Sequence, residues 1–313
     1  MEHTQETSTI PVTRQAAWNG LGIPLREAST SANVLEQAGL LWNVSQSPIQ
    51  WMAANGTLQI NEQQLCNYRD DTGDLLGVVG KGYTVVQNKT AFAFTDILFE
   101  EGVRYERAGS VKGGRLVWLL AKMPEQRIVQ DAYAPYLLII NGHDGRTPVN
   151  VCMTPIRVAC QNTINLALKQ ATHRWTFTHT INVMNRMNDA QQTLALASEY
   201  MKRLETTAEK LVAMKMSQSE LSVSVNRLFP MKGTAISDKH TQENIDRFMQ
   251  CYNESDLDNV RGTAYGFLMA ISDYTTHVPF RTNNITKARE RHFMKTVMQP
   301  DPLLATAFDM FAI

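Results

Sequence analysis

The 313 residues carry 43% apolar and 19% charged side chains with 30 basic against 30 acidic groups, a balance that excludes a mainly disordered or collagen-like chain. No window approaches the roughly 18 uninterrupted apolar residues of a spanning helix, so the sequence reads as a soluble, unsecreted protein of the cytoplasm. Four cysteines without CxxC pairing argue against both a disulfide scaffold and a zinc site, and no metal or cofactor is expected.

The neutral total hides an asymmetry. Residues 1–100 hold 5 basic and 10 acidic side chains, and positions 145–188 contain no Asp or Glu while carrying Arg146, Arg157, Lys169, Arg174 and Arg186. Such a stretch projects positive potential wherever it surfaces.

In chain order, residues 1–60 read as a polar arm followed by a short α/β lead-in. Val34, Leu35, Ala38 and Leu41 fall at helical spacing over 32–41, Leu41 to Val44 runs extended, and Pro48 is expected to stop anything longer. Residues 61–180 read as an α+β core with a largely antiparallel sheet. Gly77-Val-Val-Gly80 and Tyr83-Thr-Val-Val-Gln87 suit two short strands or a kinked one, and Asn88 is a plausible N-cap for a helix over 90–99. A first hairpin follows, with strands at 103–109 and 115–121 around Val111-Lys-Gly-Gly114. Leu116, Trp118 and Leu120 alternate with Arg115, Val117 and Leu119, so both faces are expected to be covered. A second hairpin joins 136–141 to 147–153 through Gly142-His-Asp-Gly145, and Pro155 ends or bends its second strand. Asn162 or Thr163 is then expected to cap a helix, and 175–180 to form a further strand.

Residues 181–313 read as helical. Met187, Ala190, Leu194, Ala197, Met201, Leu204, Ala208 and Leu211 recur at alternating spacings of three and four, a heptad seam with mostly uncharged flanks. Packing against the chain's own C-terminal helices is favoured over an intersubunit coiled coil. Further helices fit 243–252, 259–276 and 285–299. The last presents Lys287, Arg291 and Lys295 on one face and Phe293 on another.

Catalytic signatures are absent. Gly77-Val-Val-Gly-Lys-Gly82 lacks phosphate-loop spacing, His143-Asp144 is better explained by turn geometry, and His173 and His179 are too far apart on a strand to chelate one ion. The chain is therefore expected not to be an enzyme. The acid-free stretch instead mixes cations with Trp175 and Phe177, and the first hairpin has Glu106 as its one acid between Arg104 and Lys122. These types neutralise phosphates and stack on bases, so the expected nucleic-acid-binding set is Lys112, Arg115, Arg146, Arg157, Lys169, Arg174, Trp175 and Phe177.

Several segments carry a resemblance: Ala17-Trp-Asn-Gly-Leu-Gly22, Gly82-Tyr-Thr-Val-Val-Gln-Asn88, Ala108-Gly-Ser-Val-Lys-Gly-Gly-Arg-Leu-Val-Trp118, Tyr136-Leu-Leu-Ile-Ile-Asn-Gly-His-Asp-Gly145, Thr154-Pro-Ile-Arg-Val-Ala-Cys-Gln-Asn-Thr-Ile-Asn-Leu-Ala-Leu168, Gly262-Thr-Ala-Tyr-Gly266 and Lys287-Ala-Arg-Glu-Arg-His-Phe293. Together they resemble a family of uncharacterised phage- and plasmid-encoded proteins, domain of unknown function 932. Gly142 stands where relatives often place Ser. The resemblance implies a mobile-element gene serving replication, recombination or defence against host immunity. The expected function is binding of single-stranded nucleic acid, DNA more than RNA, by a homo-oligomer that assists strand annealing or recombination. The alternative is a protein-interaction module, such as an inhibitor of a host defence complex.

Overall fold

The computed structural model describes residues 16–28, 30–93, 95–96, 102–129, 131–157, 162–163, 174–183, 185, 192–277, 284–298 and 301–311. Its class is α+β. Strands β1 (Ile23–Pro24), β5 (Arg104–Val111), β6 (Leu116–Lys122), β8 (Asp131–Gly142), β9 (Val149–Arg157) and β10 (Asn162–Thr163) lie side by side in that order, with β7 (Gln126–Ile128) on β8 and β11 (Arg174–Phe177) on β9. A second sheet holds β2 (Val44–Met52), β3 (Leu58–Arg69) and β4 (Leu75–Gly80). Every described pairing is antiparallel.

The alternation in β6 decides the layering. Leu116, Trp118 and Leu120 enter one apolar cluster with Leu138, Ile140 and Cys152, while Val117, Leu119 and Ala121 enter another with Leu137, Ile139 and Val151. Because successive side chains point to opposite faces, a strand apolar at every position must be covered twice. One face takes Trp18, Leu21 and Phe293, whose ring lies 5.0 Å from Trp118. Phe293 belongs to α7 (Ile285–Met298), which leaves Lys287, Arg291 and Lys295 exposed.

The other face takes most of the helices: α1 (Ser31–Gln37), α2 (Asn88–Ala93), α3 (Gln192–Ala213), α4 (Gln218–Leu228), α5 (Ala235–Tyr252), α6 (Ala264–Thr276) and α8 (Pro302–Asp309). Helix α3 buries Met201, Leu204, Ala208 and Leu211 in the cluster that also holds Tyr133 and Tyr265. This part of the heptad seam faces the chain's own core, and the side chains of Leu194 and Ala197 are not described. Met187 and Ala190 lie outside the described residues. One core thus runs through regions 61–180 and 181–313, and position 60 falls inside β3.

Several local expectations are corrected. Pro48 does not stop β2, because β2 is an edge strand paired only with β3, where a missing N–H costs no ladder bond; the register shifts directly after it. Pro155 lies within β9 opposite Pro135. Pro135 O accepts from Met123 N–H at 2.8 Å, so its nitrogen points away from β9 and the proline pair occupies a non-hydrogen-bonded site. Residues 83–87 form no strand; Thr84 N–H bonds to His179 O, and the Gln87 carboxamide bonds Val44 N–H and C=O at 2.9 Å each. Asn162 and Thr163 pair with Arg157 and Ile156, and the helix expected after them lies outside the described residues. Helix α4 was missed although Ser217-Gln-Ser-Glu220 is a capping box, with Ser217 and Glu220 bonding each other's main-chain N–H.

Candidate nucleic-acid interface

Antiparallel pairing of β5, β6, β8 and β9 brings the two hairpin tips to one end of the sheet. His143 N–H donates to Arg115 O at 2.8 Å, tying the second tip to the first. Lys112 opens the first turn at φ +55°, followed by Gly113 and Gly114 in the same left-handed region, and its N–H reaches Glu290 Oε2 of α7 at 3.4 Å. Lys112, Arg115 and Arg146 are exposed on these adjoining tips.

Asp144 turns inward to its own loop, accepting from Arg146 N–H at 2.9 Å, Thr147 N–H at 2.7 Å and Thr147 Oγ1 at 3.0 Å. Burial alone would raise its pKa, but those amides, the hydroxyl and the charge of Lys112 hold the carboxyl below its ordinary value. The carboxylate is thus engaged by its own turn.

Beneath the tips lies a buried polar cluster that joins the two sheets. His143 Nε2 meets Asn88 Oδ1 at 2.9 Å, Asn88 Nδ2 donates to Leu40 O at 3.2 Å, and Asn141 Nδ2 donates to Val86 O at 2.8 Å. Since Asn88 Oδ1 accepts, Nε2 carries the proton; Nδ1 is a buried lone pair without a hydrogen-bond partner among the described residues. Burial, assisted by nearby His179, pushes the His143 pKa down to about 3, so the ring is neutral at pH 7. Asn67 Nδ2 donates to His143 O at 3.0 Å from β3, and Tyr83 OH donates to Gly142 O at 3.0 Å while its ring stacks on His179 at 4.6 Å. The second sheet closes on the tip through a glycine. A Cβ on Gly77 would lie 2.7 Å from Asp144 backbone, so the sequence Gly77-Val-Val-Gly80 serves close packing of β4.

The expected binding set does not stay together. Arg157 is corrected: it is 1% exposed, and Nε and Nη2 donate to Asp131 at 2.8 and 3.0 Å while Nη1 and Nη2 donate to Asp256 Oδ2 and O at 2.5 and 2.6 Å. A guanidinium so enclosed is not a phosphate contact. Trp175 and Phe177, opposite Val151 and Val149, are half-buried against the helix-covered core, whereas Arg174, opposite Cys152, belongs to the other face. The aromatics and this arginine therefore do not share a surface. Lys169 lies outside the described residues.

Sequence reading missed Asn67, Tyr83, Asn88 and Asn141 as partners of the tip. Asn88 had a legible signal as a cap, but the bonds it makes run to residues about 50 positions away. Among the described residues, no group of three or more His, Cys, Asp or Glu side chains is disposed to hold a metal ion, and no helix is long and apolar enough to cross a membrane.

Residues 75–297 match the family described as Domain of unknown function (DUF932). The chain belongs to that family. No curated protein and no solved structure matches it. The matched span in this DUF932 member includes both hairpins, Tyr83, Asn88, Asn141 and His143 of the polar cluster beneath them and α7 up to Val297, but leaves β2 and β3, and with them Asn67, outside.

Proposed function

We propose that this DUF932 protein binds single-stranded nucleic acid, DNA in preference to RNA, as a phage- or plasmid-encoded accessory of strand annealing or recombination rather than as an enzyme. The carrying observation is the juxtaposition of Lys112, Arg115 and Arg146, exposed on two tips linked by the His143 to Arg115 bond. Helix α7, which approaches the first tip through Glu290, extends this ridge with the exposed Lys287 and Arg291. A flexible strand following such a ridge releases counterions for each phosphate it meets, with little dependence on base sequence.

Mobility-shift titrations with mixed-sequence oligonucleotides over a series of salt concentrations test the reading. A salt-sensitive complex is expected, and Lys112→Ala, Arg115→Ala and Arg146→Ala should each lower the log-log salt slope by about 0.7. No retardation at micromolar protein and low salt, with or without a complementary strand, overturns it.

A further inference from the structure

Strands β2 and β3 continue together past the body of the protein. Strand β4 pairs with β3 only from Gln64 to Tyr68, so Ile49–Met52 and Leu58–Asn61 form a two-stranded ribbon, closed by a turn in which Ala53 N–H donates to Thr57 O at 2.9 Å. No residue of this ribbon is buried. Isolated two-stranded ribbons are marginal in water, yet Trp51, Met52, Leu58 and Ile60 stand 49–65% exposed on this one.

The alternation assigns sides. The register shift after Pro48 skips residues 62–64 of β3 and none of β2; Met52 pairs with Leu58 and Gln50 with Ile60, so on β2 these even-numbered positions share the side on which Val44 is buried. The apolar stripe of Met52, Leu58 and Ile60 thus continues the side that packs against the rest of the protein, and these side chains stand 54–65% exposed.

We propose that this ribbon is the surface on which two copies of the chain associate, face to face through Met52, Leu58 and Ile60. Charge selects the occupant. From Ser45 to Asn61 no side chain is charged, so the ribbon offers no cation to a phosphate backbone and no ionic match to an acidic or basic partner. A two-fold contact sets the same patch against itself, where any net charge would repel, and a neutral apolar patch meets that condition.

Pro48 selects the mode. Gln87 bonds both main-chain groups of Val44, so even-numbered residues of β2 point N–H and C=O away from β3. Pro48 has no N–H to offer on that outer edge, which disfavours a sheet continued edge to edge and leaves the apolar face as the contact. The proposal goes beyond the nucleic-acid reading, which uses the hairpin tips, and is tested without nucleic acid.

Light scattering or sedimentation of the full chain across a micromolar concentration series should give twice the 35.2 kDa chain mass. Leu58→Lys and Met52→Lys, both at solvent-exposed positions and checked for folding by circular dichroism, should each return it to a single-chain mass. Ile236→Lys, at an exposed apolar position of α5, should leave the dimer intact. A single-chain mass at every concentration overturns the proposal, as does a dimer that survives both ribbon substitutions or is lost equally with Ile236→Lys.

Discussion

The two ends of β9 come from one acid-free stretch of sequence and meet opposite fates. At its start, Arg146 stands in solvent on a turn whose aspartate is occupied by the turn itself. At its end, Arg157 is buried between Asp131, just beyond β7, and Asp256, in the short 3-10 turn ahead of α6. Local charge density therefore says how much positive potential a segment carries, but not whether a distant carboxylate consumes it.

The sharpest way to break this contrast is Arg157→Ala. It leaves two half-buried carboxylates without their cation and should destabilise the fold by up to about 3–5 kcal/mol, whereas Arg146→Ala should leave stability within about 0.5 kcal/mol. Urea denaturation of both variants measures the difference, and equal losses would erase the distinction between the two ends.

Gly77→Ala probes how tightly the Arg146 end is packed against the second sheet. The added methyl meets Asp144 backbone rather than a yielding side chain, and overpacking of this kind should cost about 1–3 kcal/mol. Wild-type stability in that variant would show that β4 can withdraw from the tip freely.

The third prediction concerns pH. His143 titrates near 6.5 when unfolded and about 3 when folded, so between those values the unfolded chain binds the extra proton. Its contribution is complete above the unfolded value and is lost as pH falls toward the folded one, at about 1.4 kcal/mol per pH unit for one proton. Burial also lowers the pKa of His179 and His292, which adds slope of the same sign. Stability curves of wild type and His143→Gln between pH 7 and 4 should therefore differ by about one proton in slope. Parallel curves would place His143 outside the acid response.

The smallest effect lies at the exposed tip. Arg146→Ala should change only the salt dependence of oligonucleotide binding, by about 0.7 in log-log slope, with the melting curve unmoved. A shifted melting curve would mean that Arg146, like Arg157, has a structural partner.

Much of the fold was legible in the sequence because its signals are local. The alternation of Leu116 to Ala121 gave a strand covered on both faces, the glycine-bearing turns gave both hairpins, and the spacing of Met201, Leu204, Ala208 and Leu211 gave a helix facing the core. Turn chemistry and hydrophobic period act within a few residues, so one chain suffices to read them. Pro48 and Pro155 were misjudged because the cost of a proline depends on which neighbour its missing N–H would have faced, and that is a property of the sheet.

Tertiary structure alone decided the rest. It determined that Arg157 is consumed by Asp131 and Asp256, that His143 on a glycine-rich turn is buried against Asn88, and that Trp175 and Arg174 belong to opposite faces. It likewise left the neutral ribbon of β2 and β3 uncovered. Each outcome depends on groups brought together from far apart in the chain, and desolvation and ion pairing follow distance in space, to which residue order gives no direct access.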